Sequence, residues 1–379
     1  MAWTERYVTT TGAGLHDGSS EANAWDLAEA ITNVNAGHRV NVKAGTYANT
    51  TTSRTFGTGA GAATTTAPKW WRGYKTAIGD MDAHPATTRT AGTDFPLLTF
   101  TSGTVLVSDP HNIFSNFEVR GTAPGTRMVS VTGSKCKFVR CRFDCQEAAT
   151  TSYTVRASAD GICFTDCWFK GTTTATTVVV SEERISYTGC VFRGGGNGVM
   201  LDVSTGDQEV IDCVFDDNGD DAIEVIGSTA RNCIIDGCTI YSPGGNGVLV
   251  TTNVPVMMLV RNNLFHTITT ASKYGVNMVS GTNVPHIVGN TWYNVTTKFN
   301  NVTEDLEFFA IAESTEPLTD PANHDMTMVT GSAGKGAALP SLFENESYKS
   351  FRDGGAVQRE EAAGGGGGLK LIGSGGLAA

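Results

Sequence analysis

The sequence has 379 residues, of which 45 are glycine, 17% are charged and 40% are hydrophobic, a composition that suits a large all-β solenoid. Acidic residues (38) outnumber basic ones (27), and there is no Lys/Arg run of the kind that follows a phosphate backbone, which argues against nucleic-acid binding. No apolar run approaches the ~20 residues of a membrane span, and Met1–Arg6 lacks signal-peptide features, so we expect a soluble protein made in the cytoplasm.

The first predicted element is an amphipathic helix. Ala24–Ile31 has apolar residues at helical spacing, and Gly37 follows it. Val40–Val42 and Gly45–Tyr47 then predict the first strands. A helix in this place can cap a solenoid, because a bare first coil would expose unpaired backbone N–H and C=O groups.

A short pattern recurs along the middle of the chain. It consists of an apolar residue, two mostly polar or small residues, Cys or Asn, any residue and a large apolar residue, as in Phe138, Cys141 and Phe143. The recurrence of 23 to 27 residues corresponds to one coil of a three-sheeted β-helix. The Cys or Asn marks are Asn116, Cys141, Cys167, Cys190, Cys213, Cys238, Asn263 and Asn290.

The Cys or Asn of each repeat is predicted to lie at a corner. The apolar residues three positions before it and two positions after it have opposite parity, so both point inward only if the chain bends between them. Coils lie roughly 4.8 Å apart, so we expect a vertical Cys and Asn ladder beside an aromatic stack. Parallel Cβ vectors at that spacing disfavour disulfides, which favours buried thiols over a metal or redox ladder. The predicted aromatic stack is Phe143, Phe169, Phe192, Phe215, Phe265 and Trp292.

These patterns predict an all-β, right-handed, three-sheeted parallel β-helix solenoid with a short N-terminal cap helix. The cap helix and first coil resemble those of the pectate-lyase-like β-helix superfamily. The predicted organisation is a cap and first coil (1–50), loop-rich early coils (51–99), regular coils (100–295), an irregular closing region (296–361) and a Gly-rich tail (362–379).

A second column follows the large apolar residue of each repeat and is predicted to face outward by parity. Its charges and rings, with Arg193, Tyr241, His266 and Tyr293 as the proposed contacts, can line a surface for a sugar chain. The alternative is a solvated face on which Arg193 pairs with Asp216. The column consists of Asp144, Lys170, Arg193, Asp216, Tyr241, His266 and Tyr293.

The strongest acidic concentration is Asp216–Asp221, with Glu224 shortly after it. Two carboxylates roughly 5–9 Å apart can act as acid and base, or as acid and nucleophile, on a glycosidic bond. Asp216, Asp220 and Asp221 are therefore the candidate catalytic residues. We expect no obligatory cofactor, although several carboxylates together can also hold Ca²⁺.

Gly219–Ile223 resembles the Gly-Asp-Asp motif of the polygalacturonase family, which implies acid/base roles for its paired Asp residues. The neighbouring coils depart from that family, because Asn197–Val199 and Asn246–Val248 stand where an Asn-x-Asp and a Gly-His-Gly motif are expected. Asn, Asp and Gly also favour turns, which is the alternative interpretation of this repeated element.

The sequence favours two main classes of function. Phe351–Gln358 resembles the closing segment of viral and metagenomic β-helix proteins, and an apolar Gly-rich tail follows it. One hypothesis is therefore a phage-type virion component, such as a spike, fibre or capsid decoration, that forms a homotrimer and contacts other virion proteins through the tail. The alternative is a polysaccharide lyase or glycoside hydrolase that uses the Asp216–Asp221 loop.

Overall fold

A computed structural model describes residues 2–49, 53–57, 59–82, 89–101, 103–121, 127–146, 153–172, 178–202, 206–227, 232–251, 257–279, 285–302, 307–308, 310–329 and 331–334. The chain divides into an N-terminal unit, Met1–Ile185, and a C-terminal unit, Ser186–Ala379. The predicted closing segment 351–358 and tail 362–379 lie outside the described residues. Within the described ranges, no helix combines the length and hydrophobicity needed to cross a membrane.

The predicted cap helix is present as α1 (Leu27–Asn33), preceded by a 3-10 turn (Glu21–Asn23). A capping box begins the helix: the Asp26 carboxylate accepts a hydrogen bond from the N–H of Glu29, and the Glu29 carboxylate accepts one from the N–H of Asp26, each at 2.8 Å. Leu27 and Ala30 are its buried residues. The helix begins three residues later than Ala24, because Asp26 satisfies the first helical N–H groups.

The N-terminal unit consists mainly of short strands. They are β1 (Thr4–Val8), β2 (His38–Lys43), β3 (Gly45–Asn49), β4 (Arg54–Phe56), β5 (Lys69–Tyr74), β6 (Pro96–Phe100), β7 (Val105–Val107), β8 (Asn112–Ser115), β9 (Glu118–Gly121), β10 (Arg127–Val131), β11 (Lys137–Val139), β12 (Arg142–Cys145), β13 (Tyr153–Ala157), β14 (Ile162–Thr165), β15 (Trp168–Lys170) and β16 (Val179–Ser181).

Three parallel sheets form this unit, and each coil passes through them in the order A, B, C. Sheet A has the order β1-β2-β5-β8-β11-β14, sheet B the order β3-β6-β9-β12-β15, and sheet C the order β4-β7-β10-β13-β16. Every third strand therefore returns to the same sheet, which is the topology of a right-handed, three-sheeted parallel β-helix. The strands before residue 100 belong to the same three sheets as those after it.

The C-terminal unit repeats this arrangement. Its strands are β17 (Ile185–Thr188, which starts at the boundary), β18 (Val191–Arg193), β19 (Val199–Asp202), β20 (Gln208–Ile211), β21 (Val214–Asp216), β22 (Ile223–Ile226), β23 (Asn232–Asp236), β24 (Thr239–Tyr241), β25 (Val248–Val250), β26 (Met257–Arg261), β27 (Leu264–Ile268), β28 (Val276–Met278), β29 (His286–Val288), β30 (Thr291–Val295), β31 (Phe299–Asn300), β32 (Glu307–Phe308) and β33 (Ile311–Ala312).

Within this unit, sheet A has the order β17-β20-β23-β26-β29-β32, sheet B the order β18-β21-β24-β27-β30-β33, and sheet C the order β19-β22-β25-β28-β31. An antiparallel hairpin follows, made of β34 (Leu318–Asp320), a 3-10 turn (Pro321–Asn323) and β35 (Asp325–Met328). We call residues Leu318–Met328 the C-terminal hairpin.

From β8 to β30, the bend between sheets A and B contains one left-handed residue per coil, directly before Phe117 in the first of these coils and directly before the Cys or Asn mark in the others. Asn, Asp and Gly adopt this conformation more easily than other residues, so most of the corner is built from them. The corner residues and their φ values are Asn116 (62°), Arg140 (51°) and Asp166 (53°) in the N-terminal unit, and Gly189 (63°), Asp212 (53°), Gly237 (67°), Asn262 (55°) and Gly289 (64°) in the C-terminal unit.

The structure corrects the first mark of the predicted repeat. Phe143 pairs with Val119, so Cys141 lies opposite Phe117 and not opposite Asn116. Asn116 instead occupies the left-handed corner position. The sequence pattern places the first mark one residue too early, because Asn fits both positions, whereas the apolar spacing around Phe117 fits only the ladder position.

The cysteines behave as small buried residues, as predicted. All nine lie in the described ranges as thiols, and eight of them are buried while Cys163 is half-buried. The Sγ of Cys213 donates to the carbonyl of Ile211 at 3.2 Å, within the same corner. Burial raises the pKa of the Cys141 and Cys213 thiols well above the ordinary value, which keeps them protonated.

Asparagine continues the ladder where cysteine stops. The Oδ1 atom of Asn263 accepts a hydrogen bond from the N–H of Cys238 at 2.8 Å, and its Nδ2 donates to the carbonyl of Ile235 at 3.1 Å. Asn290 repeats both contacts one coil later, with the N–H of Asn263 and the carbonyl of Val260, each at 3.0 Å. The buried amides are thus satisfied by backbone groups of adjacent coils.

The predicted aromatic stack is confirmed within each unit. Its rings are nearly parallel and fully or almost fully buried, so they fill the interior beside the corner. The pairs and their centroid separations are Phe143 and Phe169 (5.1 Å), Phe192 and Phe215 (4.7 Å), and Phe265 and Trp292 (4.4 Å).

Candidate functional site

The outward column of sheet B has the predicted register in the C-terminal unit. Arg193, Asp216, Tyr241, His266 and Tyr293 lie opposite one another in successive strands. The rings of Tyr241 and His266 have centroids 5.0 Å apart, and those of His266 and Tyr293 are 4.7 Å apart. Arg193 Nε donates a hydrogen bond to Asp216 Oδ2 at 2.7 Å. This is the ion pair predicted by the alternative interpretation, in which the column is a solvated face.

The C-terminal hairpin covers part of this face. Leu318, Met326 and Met328 form one buried apolar cluster with Val214 and Leu264, which point outward from sheet B. Removing such side chains from water contributes roughly 1.5–3 kcal/mol each. The hairpin therefore docks on sheet B through apolar side chains of the sheet, Val214 and Leu264, that lie beside the outward polar column.

Two histidine contacts accompany this docking. His266 Nε2 lies 2.7 Å from Glu316 Oε1, while its Nδ1 lies 2.8 Å from the Thr267 hydroxyl. Burial lowers the pKa of His266, against the opposing effect of Glu316, so the neutral ring is favoured. His324 Nδ1 lies 2.8 Å from Asp216 Oδ2.

The sugar-binding surface predicted on this face is thus partly occupied by the chain itself. His266 and Asp216 are buried, whereas Arg193 and Tyr293 are half-buried. Carbohydrate binding by Arg193, Tyr241, His266 and Tyr293 stays a prediction.

The acidic loop between β21 and β22 has two sides. Asp216, at the end of β21, belongs to sheet B, and burial raises its pKa although Arg193 and His324 act in the opposite direction. Asp220 and Asp221 lie in the turn before β22, where their contacts are with the turns of neighbouring coils. The structure thus brings Asp220 and Asp221 together and gives Asp216 different neighbours.

Asp221 is fixed by the next coil. Its Oδ1 accepts hydrogen bonds from the backbone N–H of Asn246 at 2.6 Å and from Asn246 Nδ2 at 2.7 Å. Its own N–H donates to Asn197 Oδ1 at 3.2 Å. Asn246 Oδ1 in turn accepts from the N–H of Tyr274 at 3.0 Å. The repeated Asn and Asp of this turn therefore form a second hydrogen-bonded ladder between neighbouring coils.

Asp220 is the exposed member of the group, with 55% of its side chain accessible. Lys273 Nζ lies 3.9 Å from Asp220 Oδ1. A Cβ placed on Gly245 would lie 2.6 Å from Asp220 Oδ1 and 2.5 Å from Asp221 Oδ1. The two carboxylates therefore flank Gly245, and only a residue without a side chain leaves this space open.

Glu224 completes the group from the outer face of sheet C. Its neighbours Ile223 and Val225 are fully buried, so Glu224 points outward and is half-buried. Glu224 Oε2 accepts a hydrogen bond from Asn197 Nδ2 at 2.6 Å. Burial, followed by the charges of Asp221 and Asp220, raises the pKa of Glu224. Burial likewise raises the pKa of Asp221, partly offset by the hydrogen bonds from Asn246.

Sequence reasoning found the acidic residues but missed Lys273, Glu316 and His324. Lys273 belongs to the turn between β27 and β28, which is longer than the other sheet B to sheet C turns of the C-terminal unit, and this extra length is the available signal. Glu316 and His324 come from beyond the last regular coil, where no periodicity indicates what they contact.

Comparison with known proteins supports the fold. Residues 127–292 match a family model described as the right-handed β-helix region. A pectate lyase crystal structure superposes with a TM-score of 0.59 at 15% identity, covering 94% of this chain and 96% of that chain. A rhamnogalacturonan lyase gives a TM-score of 0.43 at 11% identity, covering 80% and 86%. No curated protein sequence matches the chain. The likeness to the pectate lyase shows a shared right-handed β-helix fold.

Proposed function

We propose that the chain cleaves an acidic polysaccharide at the group formed by Asp220, Asp221, Glu224 and Lys273. The observation that carries this proposal is the combination of an accessible carboxylate, Asp220, with the ammonium group of Lys273 and with a half-buried Glu224 of raised pKa. Such a set of groups contains a base and an acid from one coil of the β-helix and a cation from two coils further on.

Each group has a role that its surroundings favour. Glu224, whose pKa is raised by burial and by two neighbouring carboxylates, is suited to donate a proton to the leaving glycosidic oxygen. Asp220 is accessible and can accept a proton. Lys273 can pair with the carboxylate of a uronic acid, whose charge would otherwise be repelled by the acidic loop. Asp221 positions the turn through Asn246.

Elimination is the favoured reaction type, because the fold is shared with a pectate lyase and because a uronic acid has an acidic C–H next to its carboxylate. In this reaction Asp220 removes that proton, the bond to the leaving oxygen breaks as a C=C bond forms, and Glu224 protonates the leaving oxygen. Hydrolysis by the same acid and base is the alternative.

A Ca²⁺ ion at the acidic loop stays a prediction. Carboxylate oxygens are the ligands that Ca²⁺ prefers, and Asp220, Asp221 and Glu224 supply them. Within the described residues, however, these three do not form a group whose ligand atoms all lie within 4.8 Å of one another. No step of the reaction above depends on the ion.

The test is incubation of the purified protein with polygalacturonate, alginate and a neutral glucan. Ultraviolet absorbance of an unsaturated uronic acid indicates elimination, whereas new reducing ends without that absorbance indicate hydrolysis. We expect Asp220→Asn, Glu224→Gln and Lys273→Met each to lower the rate about a hundredfold or more. Asp160→Asn, in an exposed ion pair of the N-terminal unit, is the control that keeps full activity.

Absence of cleavage of every acidic polymer, or full activity in the three variants, would overturn the proposal. The virion structural role would then be the remaining hypothesis, with its trimer, its location in a virion and its partners in other virion proteins.

A further inference from the structure

Asp216 and Asp217 meet His324 where the C-terminal hairpin crosses sheet B. One ring nitrogen of His324 and one carboxylate oxygen from each aspartate all lie within 4.8 Å of one another. The two aspartates end a strand of the β-helix, whereas His324 belongs to the turn of the hairpin about a hundred residues later. Two segments far apart in sequence thus supply one group of potential metal ligands.

A second observation concerns Asp216 alone. Its side chain is 1% exposed, and among the described residues its Oδ1 atom has no hydrogen-bond partner. A buried carboxylate oxygen without a partner is costly, and such atoms in native proteins usually bind a water or an ion. Oδ2 accepts a hydrogen bond from Arg193 Nε at 2.7 Å and lies 2.8 Å from His324 Nδ1. A metal ion bound through that nitrogen would take the place of any proton it carries.

We propose that Asp216, Asp217 and His324 bind one divalent transition-metal ion, of the Zn²⁺ class, that fastens the C-terminal hairpin to sheet B. An imidazole nitrogen with two carboxylates favours Zn²⁺ over Ca²⁺ and Mg²⁺, which prefer all-oxygen sites. Three protein ligands leave one tetrahedral position for water.

Arg193 fits this proposal as an outer partner. Its Nε holds Asp216 Oδ2, which fixes the carboxylate plane and leaves Oδ1 for the ion. The apolar cluster of Leu318, Met326 and Met328 places His324 close to the strand before any ion binds. The site is therefore largely formed by packing, and it is separate from the catalytic group proposed at Asp220 and Glu224.

The first measurement is Zn²⁺ binding by titration calorimetry, with untagged full-length protein stripped by a chelator. We expect one ion per chain and binding at least about tenfold weaker in His324→Gln and in Asp217→Asn. His286→Gln, which removes an exposed histidine from β29, is the matched control and binds like the parent. All variants carry Cys163→Ser, so that the half-buried thiol does not contribute.

The second measurement is limited proteolysis of the hairpin. Zn²⁺ should slow its cleavage in the parent and have no such effect in His324→Gln. Undiminished Zn²⁺ binding in both His324→Gln and Asp217→Asn, or no binding in the parent, would overturn the proposal. Equally tight binding of Ca²⁺ would overturn the assignment to the Zn²⁺ class. Asp217 is exposed, so Asp217→Asn decides the matter even if His324→Gln fails to fold.

Discussion

The carboxylates on the two sides of the acidic loop have different kinds of partner. On the sheet B side, buried Asp216 has two cationic or potentially cationic partners, Arg193 and His324. On the sheet C side, Asp221 and Glu224 are held by the amides of Asn246 and Asn197. Amides align a carboxylate without neutralising it, whereas an ion pair offsets its charge. This difference is what we expect if the first side stabilises the fold and the second side carries the proposed reaction.

The strongest way to break this comparison is to remove the cation from the first side. Arg193→Met leaves Asp216 buried beside His324 alone, and we expect a loss of about 3 kcal/mol in the free energy of unfolding, measured by denaturant titration. Arg184→Met breaks an exposed ion pair with Asp160 and should cost less than about 1 kcal/mol. Equal losses in the two variants would show that Asp216 does not depend on its partner.

A second test adds a methyl group beside the carboxylates on the sheet C side of the acidic loop. Gly245→Ala places a Cβ 2.5 Å from Asp221 Oδ1 and 2.8 Å from the backbone carbon of Asp220, so both must move. We expect a loss of about 2 kcal/mol in unfolding free energy and a loss of the proposed cleavage activity. At Gly57 the nearest atom is 3.4 Å away, so Gly57→Ala is the control and should be nearly neutral. A neutral Gly245→Ala would contradict the close approach of the two carboxylates.

The third prediction concerns pH on the sheet B side. Burial lowers the pKa of His266 below its ordinary value of 6.5, so the unfolded chain binds a proton before the folded chain does. Stability should therefore fall as the pH drops below about 6.5, by no more than about 1 kcal/mol. Denaturant titrations from about pH 8 to pH 5 measure this. His266→Gln should flatten that part of the profile, and His286→Gln should leave it unchanged.

The smallest effect is expected on the sheet C side. Glu224 has a raised pKa, so its ionised form disfavours folding at pH values above its ordinary pKa of 4.5. Glu224→Gln should raise the free energy of unfolding by about 0.5 kcal/mol at neutral pH while it removes activity. The gain should vanish below about pH 4.5, where the carboxyl is protonated in both states. A destabilised variant at neutral pH would contradict the reactive role assigned to this side.

Much of the local architecture could be predicted because the repeat is a local signal. The parity of Phe138 and Phe143 around Cys141 indicated the corner, and the outward column from Arg193 to Tyr293 followed from the same parity. Asn116 was misplaced by one residue since Asn suits both the ladder and the left-handed corner. The acidic loop could also be predicted from a local signal, because its Asp residues follow one another in a single turn.

The sequence alone determined the right-handed three-sheeted β-helix, its register from Cys141 onward and the buried thiols, because each coil contacts its neighbours at a nearly fixed residue offset. Only the tertiary structure decided which carboxylates act together. Lys273 meets Asp220 across a longer turn, and the hairpin brings His324 to Asp216 from outside the repeat. These contacts join residues about 50 and 100 positions apart with no common period, so periodicity carries no information about them.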